Sequence, residues 1–238
     1  MKSLVVGGTE GFGKSVAMAL IENGYEVTTT GRSGGDYKVD VGNVLEWEEI
    51  LTRIKLEQGP FDMVIFVAGY ARAINPQSQT VDTWSEHKQK NVGYVEQALR
   101  QLVFVNNAKI VTLGSQWSYK TGSTQLKPYQ DAKHALRELT EQYAAEHPNF
   151  SLVHICAPAM NTPQREKVWE FVTEKPEFKH GFEVADAHVI AQALVKEVIE
   201  HTHRGESLQI NTYGEINSVL RLESDSEVLL RQMVQKRK

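Results

Sequence analysis

The chain has 238 residues, 41% hydrophobic and 24% charged, which is enough apolar material for one large domain around a real core. Lys plus Arg number 26 against 30 Asp plus Glu, a formal net charge of -4, and this argues against a protein that grips nucleic acid with a basic surface. The lone cysteine, Cys156, excludes an internal disulfide and points to the reducing cytoplasm; the first apolar run, Leu4 to Val6, is too short for a signal peptide or a membrane span.

Ser3–Val6 is expected to be a strand that stops at Gly7-Gly8. Phe12 to Asn23 has helical spacing, with Val16, Ala17, Leu20 and Ile21 on one face and Gly24 as the stop. Tyr25–Thr30 and Tyr37–Val39 read as the second and third strands, with too little chain between them for the usual helix. Asn43–Gln58 is a helix closed by Gly59-Pro60, and Asp62–Val67 is a buried strand. A long helical pattern runs from Val81 to Val105, ahead of the strand Lys109–Leu113. Gln125–His147 is a second long helix, followed by strand Ser151–Cys156, helix Val184–Glu200 and strand Ser207–Asn211. Strands spaced by such helices imply right-handed crossovers and a mainly parallel, doubly wound α/β sheet in three layers. No linker interrupts the rhythm, so residues 1–238 are expected to form a single domain. The box Ser224-x-x-Glu227 before Val228, Leu229, Leu230, Met233 and Val234 predicts a C-terminal helix over about 224–236.

The segment Gly7-Gly8-Thr9-Glu10-Gly11-Phe12-Gly13-Lys14-Ser15 fits two phosphate-binding spellings. Gly8-x-x-x-x-Gly13-Lys14-Ser15 matches a P-loop, in which Lys14 reaches phosphate oxygens and Ser15 ligates Mg²⁺. Gly7-x-x-x-Gly11-x-Gly13 matches a dinucleotide turn, whose glycines allow a tight turn, approach of a pyrophosphate and close helix–strand packing. Both put phosphate at a helix N-terminus, so the loop alone does not choose. A P-loop hydrolase also needs an acid at the end of a hydrophobic strand for Mg²⁺. The two best strands end in Val67-Ala68-Gly69 and Leu113-Gly114-Ser115, with no acid there.

From about Met1 to Asn211 the sequence resembles the short-chain dehydrogenase/reductase family. Its most specific element is Tyr129-Gln130-Asp131-Ala132-Lys133, a Tyr-x-x-x-Lys pair on one helical face. A nearby ammonium favours phenolate and makes a tyrosine a usable acid or base. The resemblance implies a Rossmann-type fold and catalytic roles for Tyr129, Lys133, Ser115 and Asn91. Ser115 stands fourteen residues before Tyr129, at a strand end where a hydroxyl can hold a substrate oxygen. Ser118 fits that place less well, and Asn91 matches the asparagine that supports the proton relay. The resemblance also implies cofactor contacts from Gly7, Thr9, Gly11, Phe12, Gly13, Arg32, Ser33, Asp40, Ala68, Gly69, Tyr129, Lys133, Pro158 and Thr162. Two landmarks depart from the family: Asn-Asn-Ala-Gly is Phe66-Val67-Ala68-Gly69, and Pro-Gly is Pro158-Ala159.

An NAD-preferring member carries an acid at the end of the second strand. Here that region reads Thr30-Gly31-Arg32-Ser33, with no acid before Asp36. Arg32 suits a 2′-phosphate, with Ser33 adding a hydrogen bond, so NADP is favoured over NAD. The plainer reading of Arg32 is an exposed loop arginine. His201-Thr202-His203 has no acid or cysteine partner at metal-ligand spacing and reads as a surface pair at a helix end; no metal site is expected. Residues 161–182, with Trp169, Phe171 and Phe178, fall where the family places its substrate loop. The expected function is NADP-dependent hydride transfer between nicotinamide and a small carbonyl or alcohol, by a homodimer or homotetramer with no nucleic-acid or membrane partner. A non-catalytic NADP sensor or scaffold is the alternative, and a P-loop hydrolase a more distant one.

Overall fold

A computed structural model describes residues 1–116, 124–164, 168 and 184–219. Ser118, Trp169, Phe171, Phe178 and the expected tail helix at 224–236 lie outside the described residues, as does most of the 161–182 loop.

β1 (Lys2–Val6) is a buried apolar run that ends at Gly7, whose φ of +89° turns the chain out of the sheet. α1 (Gly11–Glu22) follows and buries Phe12, Val16, Ala17 and Leu20, while Ile21 stands 59% exposed, one step off the expected face. β2 (Glu26–Gly31) and β3 (Tyr37–Lys38) pair in parallel with only residues 32–36 between them and no helix. α2 (Val44–Gln58) starts at Asn43, whose side chain accepts from the Glu46 N–H. β4 (Phe61–Phe66) is central.

The expected helix from Val81 to Val105 is not continuous. α3 (Val81–Lys88) begins at a Thr80–Thr83 capping box. One turn of π-helix, Gln89–Gly93, then leads into α4 (Tyr94–Gln101), and the chain is already strand by Phe104. A π-turn inserts a residue into the helical register and swings the side chains that follow. Gly93 suits it, since a Cβ there would lie 2.2 Å from Gln89 Oε1. β5 (Phe104–Ser115) is longer than expected, because Asn107 takes φ 64° and joins an outer stretch to the core run.

α5 (Lys127–Glu146) carries Pro128 in its first turn, where a missing N–H costs nothing. β6 (Ser151–Ala157) is wholly buried, including Cys156. α6 (Ala187–Glu200) starts later than expected, at Asp186, whose side chain caps the His188 and Val189 N–H groups. β7 (Arg204–Ile210) is joined by β8 (Ile216–Ser218), an antiparallel strand absent from the sequence reading. Asn211 makes that reversal, its Oδ1 accepting from the Tyr213 and Glu215 N–H groups.

Among the described residues the strands form one sheet in the order β3-β2-β1-β4-β5-β6-β7-β8, parallel except for β8. Helices cover both faces. One core cluster gathers Trp47, Phe66, Tyr94 and Leu136, and the other Phe12, Leu20, Ile65 and Leu194. The order reverses between β1 and β4, and sheets of this kind bind ligands at the carboxyl ends of the strands beside that point. No described helix is long and apolar enough to cross a membrane.

Candidate active site

The β1–α1 turn needs its glycines for two separate reasons. A Cβ on Gly13 would stand 1.9 Å from the Gly7 carbonyl oxygen, so only glycine lets α1 lie this close to β1. A Cβ on Gly7 would stand 2.7 Å from the Ala68 nitrogen, so the end of β4 backs directly onto the turn. Gly11 has φ +50° and faces Thr162, which lies 3.7 Å from its would-be Cβ. Glu10 is the N-cap residue yet makes no side-chain cap bond, and the first turn of α1 holds no acid. The N-terminus of the helix is thus left open to an anion.

The rim around this turn gathers most of the expected contacts. Thr9 packs against Gly31 and Gly35 of the β2–β3 link. Arg32 is exposed and makes no ion pair with the described residues. Ser33 donates its hydroxyl to Glu10, so the hydrogen bond expected for a 2′-phosphate is already taken. Asp40 accepts from the Gly42 N–H at 2.9 Å, in the loop beside Lys90. The Ala68 carbonyl receives the Tyr94 hydroxyl at 2.7 Å, and the Gly69 carbonyl receives Gln164 Nε2 at 3.2 Å. Pro158 follows β6, where Ala185 N–H closes the loop on the Ala159 carbonyl.

At the ends of β5 and β6 the second half of the site assembles. Ser115, the last residue of β5, is hydrogen-bonded to the half-buried Tyr129 hydroxyl from the first turns of α5. Burial pushes the Tyr129 pKa above its ordinary value, and the bond from Ser115 pulls it partly back. Lys133 is 3% exposed, and its ammonium donates to the Leu113 carbonyl at 2.8 Å. Burial pushes its pKa down to about 8, with Cys156 opposing. The ammonium lies 5.8 Å from the centre of the Tyr129 ring. The expectation that Lys133 draws the phenol down is therefore not met in this state, in which the ammonium is itself desolvated and turned to Leu113.

Asn91 sits in the π-turn, fully buried. Its Oδ1 accepts from the Tyr70 N–H at 3.1 Å, and its Nδ2 donates to the Tyr70 and His87 carbonyls at 2.8 and 2.9 Å. Its amide thus braces the chain just after Gly69. A Cβ on Gly69 would lie 3.4 Å from both Asn91 Oδ1 and Lys133 Nζ, so a glycine here keeps the two groups within reach of one opening.

A buried polar chain lies behind Lys133, and no sequence signal marks it. Thr140 donates to the Leu136 carbonyl at 2.8 Å, so it accepts from Thr112 at 2.7 Å, and Thr112 in turn accepts from His154 Nδ1 at 2.8 Å. This leaves His154 Nε2 a bare lone pair with no hydrogen-bond partner among the described residues, against Gly114. Burial and the charges of Lys133 and Arg137 push the His154 pKa down to about 3, so the ring is neutral. Tyr94 is the other residue the sequence did not mark: its hydroxyl holds the Ala68 carbonyl at the end of β4.

The histidine pair departs from expectation. His203 is buried, with Nδ1 2.7 Å from Glu206 and Nε2 3.7 Å from Glu197, and His201 lies 3.3 Å from Glu197. The acid partners come from the end of α6 and the start of β7, within three or four residues of the histidines for the two shorter contacts. No group of three such side chains able to hold a metal ion occurs among the described residues.

A doubly wound sheet with a glycine turn at its order reversal defines a Rossmann-type α/β protein. The family described as short chain dehydrogenase matches residues 2–172, and the chain belongs to it. A curated relative, the NADP-dependent 3-hydroxy acid dehydrogenase YdfG of Salmonella typhi, is 28% identical over 142 residues. That alignment covers 50% of this chain and 57% of the relative, so the chain spans little more than half the length of the curated relatives it matches. Among solved structures, a ligand-free aldohexose dehydrogenase of Thermoplasma acidophilum superposes with TM-score 0.74 at 18% identity, covering 89% of this chain and 92% of its own. A short chain dehydrogenase of Burkholderia cenocepacia in complex with NADP gives TM-score 0.74 at 20% identity, covering 89% of this chain and 96% of its own.

Proposed function

We propose that the chain is an NADP(H)-dependent oxidoreductase acting on the carbonyl or alcohol of a small molecule. The observation that carries this reading is the Ser115–Tyr129 hydrogen bond above a buried Lys133, at the strand ends beside the glycine turn. The uncapped start of α1, behind a turn whose Gly7 and Gly11 take positive φ, fits a dinucleotide pyrophosphate. Gly7, Thr9, Gly11, Phe12 and Gly13 would hold it, with Arg32, Ser33 and Asp40 toward the adenosine. Ala68, Gly69, Pro158, Thr162, Tyr129 and Lys133 would serve the nicotinamide end. The NADP named for the curated relative supports the same cofactor.

When bound, the nicotinamide supplies or accepts the hydride. Tyr129 passes a proton to the substrate oxygen, and the burial that raises its pKa keeps it protonated at neutral pH, as carbonyl reduction requires. Ser115 orients that oxygen. Lys133 remains charged below about pH 8 and binds the nicotinamide ribose. Asn91 holds the π-turn that walls the opening at Gly69. The working assembly is a homodimer or homotetramer in the cytoplasm, joined through α4 and α5, whose outer sides line a groove with Glu96, Arg100, Gln142 and His147.

Titration with NADPH, followed by nicotinamide fluorescence, tests the reading. Saturable binding is expected, and Tyr129→Phe should keep it while losing nearly all carbonyl turnover. Binding of Mg-ATP without NADPH would overturn it, and NADPH binding without turnover of any carbonyl would favour a sensor.

A further inference from the structure

Thr112, Gly114, His154 and Cys156 share one face of β5 and β6, in the register Thr112–His154 and Gly114–Cys156. α5 covers this face, since Thr140 reaches Thr112 across it. Gly114 brings no side chain, and the imidazole takes up the room. A Cβ there would stand 2.2 Å from His154 Nε2 and 3.0 Å from Cys156 Sγ. Gly114 lies between Leu113, whose carbonyl accepts from Lys133, and Ser115, which is bonded to Tyr129. His154 Nε2 is therefore seated beneath the stretch of backbone that carries both contacts.

The tautomer of that ring is set from its far side. Thr140 gives its proton to Leu136 and Thr112 gives its own to Thr140, so His154 Nδ1 donates and Nε2 keeps its lone pair. Each bond in such a chain polarises the next, and the terminal acceptor carries more negative charge for it. A buried acceptor with no donor ordinarily costs stability, but beside a buried ammonium it stabilises the charge. The two groups do feel each other: burial first, and then the charge of Lys133, keeps the imidazole neutral. The other titratable or charged groups here are Tyr129 and Arg137 from α5 and Cys156 from β6, while the π-turn brings the uncharged Asn91. Arg137 is cationic and works against a second cation nearby, so a neutral acceptor at His154 offsets it.

We propose that His154 is a positioning residue for Lys133: its bare Nε2, seated under Gly114, keeps the ammonium charged at the strand end and ready to bind the nicotinamide ribose. The imidazole is fully buried, touches neither cofactor nor substrate, and acts only through Lys133. This inference rests on the nicotinamide reading above and adds to it a second layer behind Ser115, Tyr129 and Lys133.

The test is the pH dependence of the NADPH dissociation constant, read by nicotinamide fluorescence from about pH 6 to about pH 9.5. Wild-type binding is expected to begin weakening at about pH 8, where Lys133 loses its proton, and to fall about tenfold in all. His154→Leu should match the wild type at about pH 6 and begin to weaken about one pH unit earlier than the wild type. His154→Gln keeps a neutral acceptor and should return the onset toward that of the wild type. Thr112→Val removes the acceptor of Nδ1–H and lets Nε2 take the proton. It should move the onset the same way as His154→Leu, and it carries the test if that variant does not fold. An onset that neither variant moves, or binding weakened equally at every pH, would overturn the proposal and leave the nicotinamide reading in place. A His154→Gln onset as low as that of His154→Leu would assign the effect to packing and overturn it too. Failure of the wild type to bind NADPH at any pH overturns both.

Discussion

The His154 imidazole is neutral inside the sheet and charged, at mildly acidic pH, in an unfolded chain. Its native pKa of about 3 lies below the ordinary 6.5, so the unfolded state binds the extra proton first. The contribution of His154 to stability is complete above about pH 6.5 and is lost as pH falls toward 3. The loss is on the order of 2–5 kcal/mol across that window. Urea unfolding at about pH 7 and about pH 5 should show a steeper decline for the wild type than for His154→Leu, and equal slopes would refute this account. At the same scale, the glycines and the Tyr129–Lys133 pair were legible because their demands are local: a positive φ, a close backbone approach, one turn of helix. His154, Tyr94 and the Glu10–Ser33 bond were not, since each takes its meaning from a residue brought alongside by the fold.

Among the elements, Tyr94 ties α4 to the end of β4. It is buried against Trp47 and Phe66, with ring centres 6.3 and 6.0 Å away, and its own carbonyl accepts from the Trp47 indole at 2.8 Å. Tyr94→Phe keeps the packing and leaves the Ala68 carbonyl unpaired, an expected loss of about 1–3 kcal/mol. Denaturant midpoints measure it, and NADPH should also bind more weakly because Ala68 backs the glycine turn. Unchanged stability and binding would show that the hydroxyl does no holding. The strands were largely readable from β-branched runs, and the mainly parallel, doubly wound sheet followed from their alternation with helices, whereas the strand order came only with the structure. The break between α3 and α4 was not, because apolar spacing continues through a π-turn and Asn91 finds its partners only at Tyr70. The β7–β8 hairpin was missed for a different reason: β8 is three residues long, and Asn211, which makes the reversal, stands at the end of the expected last strand.

For the whole molecule, β8 covers the outer edge of β7. An uncovered parallel edge offers unpaired backbone groups to any other chain. Replacing Asn217 with Pro removes a backbone N–H from this short strand, which pairs Gln209 with Asn217. The variant is expected to fold yet to form larger species on size exclusion as its concentration rises, whereas an unchanged elution profile would mean that β8 does not guard the edge.

The helix-free link between β2 and β3 bears on the order in which the chain folds. Residues 32–36 are all that separate two paired parallel strands, so this closure is among the most local in the sheet. Loops of such length close in about 10–100 ns, whereas contacts between distant segments pay a larger closure entropy. β1, α1, β2 and β3 are contiguous and complete by Lys38, so the segments of the glycine turn and its rim are synthesised before β5, which carries Ser115, and α5, which carries Tyr129.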